Sequence, residues 1–208
     1  MSGTNVAIID YGAGNLRSVA KALESLGAKP LVTSDPKEME AADAIVLPGQ
    51  GACDSAMVAL KSHKLIDIVK QVINSGQPFF GVCLGLQLLF DSTEEGNADC
   101  LGIIPGRVKR FPAGLKVPHM GWNTVEFQDT EHPVFQDIPQ GSHFYFVHSF
   151  YAAPESSDVV AATTEYGLDF CSAVAQGNLV ATQFHPEKSG PMGLRLYANF
   201  LRMVGSLA

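Results

Sequence analysis

The 208-residue sequence is poor in charge, with 14 Lys and Arg against 21 Asp and Glu, 17% of the chain. Its formal net charge is −7, and no basic cluster is long enough to track a phosphate backbone. The densest, Arg107, Lys109 and Arg110, is explained by a solvated strand edge, so no nucleic-acid partner is expected. No run approaches the roughly 20 apolar residues of a membrane-spanning helix. Stretches such as Ala44–Leu47 stop far short of that, and no membrane association is expected. The first residues carry no charged leader region and no cleavage site, so a cytoplasmic location is expected. Cysteine is sparse and scattered at Cys53, Cys83, Cys100 and Cys171, with no C-x-x-C pair and no metal-ligand spacing. Neither a disulfide framework nor a metal centre follows. In a reducing compartment the four are free thiols, and Cys53, Cys100 and Cys171 are taken as small buried hydrophobes. No linker, low-complexity stretch or repeat divides residues 1–208, which are expected to form one domain.

Hydrophobic residues make up 46% of the chain, enough for a substantial core. The first half alternates strand and helix. Val6–Ile9 is a short apolar strand ending at Asp10 and the turn Gly12-Ala-Gly14. Leu16, Val19, Ala20, Leu23 and Leu26 follow at helical spacing, and Gly27 stops them. Pro30–Thr33 is a second strand. Ala44–Leu47 is a third, stopped by Pro48-Gly49. Ile66, Val69 and Ile73 mark one face of a helix, and Phe79–Val82 is a fourth strand. Apolar strands separated by helices predict a mostly parallel sheet covered on both faces. The second half is rich in short β segments: Arg107–Phe111, Asn123–Phe127, Phe144–His148, Val159–Thr164, Cys171–Ala175 and Leu179–Thr182. A tight turn at Gly177-Asn178 joins the last two. Leu194, Tyr197, Leu201 and Val204 predict a closing helix. The fold class is α/β.

The segment Gly81-Val-Cys83-Leu-Gly85 joins an apolar strand to a helix pattern at Leu84, Leu88 and Leu89. That layout is a nucleophile elbow with cysteine at its tip. A sharp strand-to-helix turn strains the central residue, and glycines beside it avoid clashes across the turn. The sulfur of Cys83 is thereby placed at the carboxyl end of the sheet and at a helix N-terminus, where a thiolate is stabilised. A thiol nucleophile needs a histidine. His63 lies in a solvated stretch, His132 precedes a proline in a turn, and His143 is an ordinary strand residue. His185 differs: it follows a strand within Gln183-Phe-His-Pro-Glu187, and Glu187 is close enough to orient its ring. Amide chemistry at a thiol passes through an oxyanion. Its donors are expected to be the backbone N–H groups of Leu84 and of Gln50, in the loop Pro48-Gly49-Gln50-Gly51.

Together these three segments resemble the signatures of class I, triad-type glutamine amidotransferases. Further segments, Asp10–Arg17, Val117–Asn123, Tyr145–Ser149 and His185–Gly190, resemble the HisH-type glutaminase branch of imidazole glycerol phosphate synthase. The resemblance implies a flavodoxin-like fold and hydrolysis of glutamine to glutamate through a Cys83 thioester, with His185 as base and Glu187 as its orienter. It implies no metal and no organic cofactor. It implies a heterodimer with a HisF-type cyclase, a (β/α)8 barrel that consumes the ammonia in histidine biosynthesis. Gly49, Gly51, Gln87, Ser149 and Phe150 would form the glutamine site, and Asn15, Trp122, Tyr145 and Lys188 the cyclase face. Trp122 in a β-rich segment would otherwise be core, and Asn15 a helix N-cap. Phe150 stands where the branch is expected to carry Tyr, and Gln50 where it often has a small apolar residue. Two alternatives remain: a glutaminase of anthranilate, guanylate or pyridoxal phosphate synthesis, and a catalytically idle regulatory subunit of the same fold.

Overall fold

A computed structural model describes residues 3–96, 98–128 and 131–207. In chain order the elements are β1 (Asn5–Ile9), α1 (Leu16–Ser25), β2 (Lys29–Thr33), α2 (Pro36–Ala41), β3 (Ala44–Gly49), α3 (Cys53–Ser62), α4 (Ile66–Asn74), β4 (Phe79–Cys83) and α5 (Leu84–Gln87). There follow β5 (Ser92–Thr93), β6 (Gly106–Arg110), β7 (His119–Phe127), β8 (Ser142–His148), β9 (Phe150–Pro154), β10 (Val160–Glu165), β11 (Asp169–Gln176), β12 (Leu179–Thr182) and α6 (Gly190–Leu207).

Among the described residues the main sheet runs β2-β1-β3-β4-β12-β11-β10-β7-β8, with β9, β6 and β5 branching from β11. The first five strands are parallel to one another, and the remaining ladders of the main path are antiparallel. Alternation along β1 divides the core. Val6 and Ile8 face α1 and α6 through Val19, Leu23, Tyr197 and Phe200. Ala7 and Ile9 face the α2–α4 side through Met39, Leu60 and Val69. Strands apolar on both faces need a helical layer on each, and the sequence supplies both.

Several elements differ from the sequence expectation. β3 runs on through Pro48 and Gly49, because beyond Val46 it is paired only with β4, and a strand paired on one side tolerates proline. α5 is a single helical turn, although Leu84, Leu88 and Leu89 suggested a longer helix. In α4 the buried stripe is Ile68, Val69 and Val72, while Ile66 and Ile73 are half-buried flanks. The basic side chains of β6 are exposed, but the strand is no edge: β5 and β9 pair it on both sides. α2, α3 and β9 were not anticipated. α2 is six residues long and α3 only weakly amphipathic, so neither presents a clear apolar stripe.

Candidate active site

Parallel pairing places the candidate residues at one end of the sheet. Gly49, at the end of β3, lies opposite Cys83, at the end of β4, and Thr182 of β12 lies opposite Val82. Chain segments 49–52, 83–87 and 183–188 therefore leave the sheet side by side. Pro118, just before β7, and residues 147–150, from the end of β8 into β9, close the other wall. The result is a cleft of about 570 Å³ lined by Gln50, Gly51, Cys83, Ser149, His185 and Lys188 among others, a size suited to a small metabolite.

Cys83 occupies the elbow with φ 55 and ψ −103, a left-handed conformation that costs a non-glycine residue about 1–3 kcal/mol. Its neighbours show what holds it there. A Cβ at Gly81 would stand 2.9 Å from the Ala181 Cβ and 3.0 Å from the Gly85 carbonyl. A Cβ at Gly85 would overlap the Leu47 carbonyl oxygen. The turn is thus closed on β3 and β12 so tightly that only glycine fits, and the sulfur is held at the cleft.

His185 is 5% exposed. Its Nδ1 meets Oε1 of Glu187 at 2.9 Å, with the Glu187 side chain 1% exposed. A carboxylate accepts, so Nδ1 carries the hydrogen, and Nε2 is left for proton exchange. Nε2 is buried and has no hydrogen bond of standard geometry; apo sites often show such looseness. Burial by itself would push the imidazole pKa down. Interaction with Cys83, and then with Glu187, outweighs burial and raises the pKa to about 9. The backbone of His185 is fixed as well. Its N–H donates to the Tyr145 carbonyl at 2.9 Å. The Ser189 hydroxyl donates to the His185 carbonyl at 2.6 Å and accepts from the Tyr145 N–H at 3.0 Å.

The sign of the raised pKa gives an expected result. The protonated ring is favoured by the fold, so its contribution is complete below about pH 6.5 and is lost as pH rises through about 9. Removing the carboxylate charge in Glu187→Gln removes part of the raise. His185 must be neutral to take the Cys83 proton, so the rising, acidic limb of kcat/KM for glutamine should then move down by about one pH unit. A limb that stays in place would show that Glu187 does not act on the ring electrostatically.

Of the other expected residues, Gln50, Gly51, Leu84, Gln87, Ser149 and Phe150 line the cleft with Cys83. Gly49 lies beneath it, where a Cβ would meet the Tyr11 hydroxyl at 2.5 Å and the Leu84 Cβ at 2.8 Å. Gln87 is 4% exposed, and its Nε2 is committed to the Phe150 carbonyl at 3.0 Å and to Gln183 Oε1 at 3.0 Å. Trp122 is 56% exposed, which excludes a core position, and it stands edge-on to Tyr145 at 6.1 Å. The Lys188 ammonium lies 5.8 Å from the centre of the Tyr145 ring and also borders the cleft. Asn15 occupies the N-cap position of α1, but its side chain makes no capping hydrogen bond. Asn15, Trp122 and Tyr145 do not line the cleft. Sequence reasoning passed over Glu95, Pro118 and Val147, which line the cleft, and Gln183 and Ser189, which brace it. Glu95 arrives from a loop beyond β5, and no local pattern marks it. Gln183 and Ser189 sit inside the quoted motifs around His185. Among the described residues no group of three or more His, Cys, Asp or Glu is placed to hold a metal ion. No helix among them is long and apolar enough to cross a membrane.

The chain is similar to known proteins over nearly its whole length. A model of the family described as glutamine amidotransferase class-I matches residues 7–204. The chain is 51% identical over 199 residues to imidazole glycerol phosphate synthase subunit HisH of Dehalococcoides mccartyi (strain CBDB1), covering 95% of this chain and 97% of that protein. It is 50% identical over 207 residues to the subunit of the same name from Thermosynechococcus vestitus (strain NIES-2133 / IAM M-273 / BP-1), covering 98% and 99%. Among solved structures, PurLQS from Thermotoga maritima matches with a TM-score of 0.77 and 18% identity over 97% of this chain and 99% of that one. At that identity the likeness concerns the fold.

Proposed function

The chain belongs to the class-I glutamine amidotransferase family, and from that premise we propose that it is the glutaminase subunit of an imidazole glycerol phosphate synthase, hydrolysing glutamine and passing ammonia to a HisF-type cyclase. The observation that carries the chemistry is the Cys83 elbow facing the His185–Glu187 pair across a cleft at the carboxyl end of the sheet.

In this reading Nε2 of His185 takes the proton of Cys83, and the thiolate attacks the side-chain amide carbon of glutamine. The carbonyl oxygen gains the negative charge and is met by the backbone N–H groups of Leu84 and Gln50. Collapse of the tetrahedral adduct breaks the C–N bond, and the imidazolium gives its proton to the departing ammonia. Water, deprotonated by His185, then cleaves the thioester to glutamate and returns the proton to the sulfur. Nδ1 keeps its hydrogen on Glu187 throughout, so the carboxylate stabilises each imidazolium as it forms. Glu95 and Lys188, of opposite charge in one cleft, suit the two charged ends of an amino acid.

The cyclase face is proposed around Trp122, Tyr145 and Lys188, with Asn15 at its margin. Met120 and Trp122 of β7 and Val117 just before it are exposed apolar side chains near Pro118, which lines the cleft. Aromatic anchors of this kind carry much of the affinity of protein interfaces. Glutamate release from glutamine, measured with and without a HisF-type cyclase and its nucleotide ligand, tests the pathway. Strong stimulation by the cyclase is expected; indifference to it would leave a glutaminase of another pathway. In the same titration Trp122→Ala should weaken cyclase binding by about 30-fold, the size of a buried aromatic hot spot.

A further inference from the structure

We propose that Gln183 is a further catalytic residue, a buried amide donor that holds the thiolate of Cys83, with its orientation dictated by Gln87. This rests on the reading of Cys83 as nucleophile. Gln183 is 0% exposed, and its Nε2 lies 3.7 Å from Cys83 Sγ.

Which end of the Gln183 amide faces the sulfur follows from one backbone carbonyl. The Phe150 carbonyl oxygen can only accept hydrogen bonds. It takes one from His148 Nδ1 at 2.7 Å and one from the Gln87 amide at 3.0 Å, so Gln87 must present its NH2 group there. The second hydrogen of that NH2 points at Gln183, 3.0 Å away, which must answer with its oxygen. The nitrogen of Gln183 is then left for Cys83. The other end of Gln87 agrees: its Oε1 accepts from the Cys53 thiol at 3.8 Å. The Phe150 carbonyl is locked in turn. His148 has its hydrogen on Nδ1, so its Nε2 accepts from Nδ1 of His119 at 2.9 Å, and Nε2 of His119 accepts from the Asn123 amide at 3.3 Å. Both rings are neutral in the fold, since burial pushes His119 down to about 4 and His148 to about 3. A flip of Gln183 would set its NH2 group against the NH2 group of Gln87, two donors face to face in a buried site, and would turn its oxygen toward the sulfur.

An N–H donor favours the charged form of its acceptor. The opposing group is the Val147 carbonyl, 3.9 Å from the sulfur, which accepts from the thiol. Gln183 supports the sulfur once His185 has taken the proton. Gln183 is fully buried and does not line the cleft, so a ligand in the cleft need not displace the donor.

Alkylation of the native chain by iodoacetamide, followed at the Cys83 peptide by mass spectrometry across pH 5–10, tests this. Cys53, Tyr11, His148, His185, Glu95 and Lys188 surround the site and stay unchanged. In Gln183→Met, similar in volume but without a donor, the rising limb of the profile should move up by about one pH unit, the worth of one hydrogen bond to a charged group. Glutaminase kcat should fall about tenfold, with KM little altered. Gln183→Glu keeps size and polarity but presents acceptors, and should move the limb further. Folded Met or Glu variants whose limb coincides with that of the wild type would overturn the proposal. If the wild-type Cys83 is alkylated no faster than an ordinary buried thiol, the nucleophile reading itself fails, and the variants carry no blame.

Discussion

Cys83→Ala should abolish glutamine hydrolysis, lowering kcat by at least about 10⁴-fold, while leaving the melting temperature near that of the wild type. Serial nucleophile, base and orienter act as one unit, and loss of the nucleophile removes the covalent path altogether. What remains is binding and the oxyanion donors, which polarise an amide but cannot form a thioester. The fold should persist because the sulfur makes only long contacts, 3.7 Å from Gln183 and 3.9 Å from Val147. Its removal also replaces a strained cysteine by an equally strained alanine. Glutamate release assayed with the cyclase and nucleotide ligand present gives the most sensitive measure. Activity above trace level in this variant would mean that another group attacks the amide, and the proposed mechanism would fall.

Gly85→Ala should be strongly destabilising and should also disable the site. Its Cβ would overlap the Leu47 carbonyl oxygen, and the second nearest atom is again backbone, the Leu47 carbon at 3.1 Å. A side chain can rotate away, but here β3 itself must move, and with it the alignment of Gly49 opposite Cys83. Overpacking of this severity costs about 3 kcal/mol or more. For a chain of this size that corresponds to a fall in Tm of roughly 6–12 °C. Activity should drop further than the stability loss explains, because the elbow is displaced from the oxyanion loop. Gly205→Ala is the matched control. It lies in α6 with no atom within 4 Å of the added Cβ, and should be neutral or slightly stabilising. A Gly85→Ala variant that melts with the wild type would show that β3 and α5 separate without cost.

The elements read most directly from the sequence are those whose cause is local. The strand Leu179–Thr182 stands where it was expected, as does the turn at Gly177-Asn178 between Gln176 and Leu179. The apolar runs of β1 and β4 and the stripe of α1 are likewise set by residues within a few positions of one another. The same holds for the Cys83 elbow, where glycines two residues either side leave the turn its room. It holds again for His185 and Glu187, since a two-residue separation suffices for the 2.9 Å contact.

What the tertiary structure alone decided depends on contacts between distant segments. Ile66 and Ile73 carry the same apolar character as Ile68 and Val69, and only the position of α4 against the sheet chose which are buried. Trp122 could have been core; the pairing of β7 with the outermost strand β8 leaves it in solvent beside Tyr145. The buried network from Asn123 through His119, His148, Phe150, Gln87 and Gln183 to Cys83 joins residues as far as 100 positions apart. Hydropathy patterns say that a residue is buried, but a buried amide is oriented by the donors and acceptors around it, and those are supplied by the fold. Sequence therefore determined the reacting groups, and tertiary packing determined which atom of each faces the other.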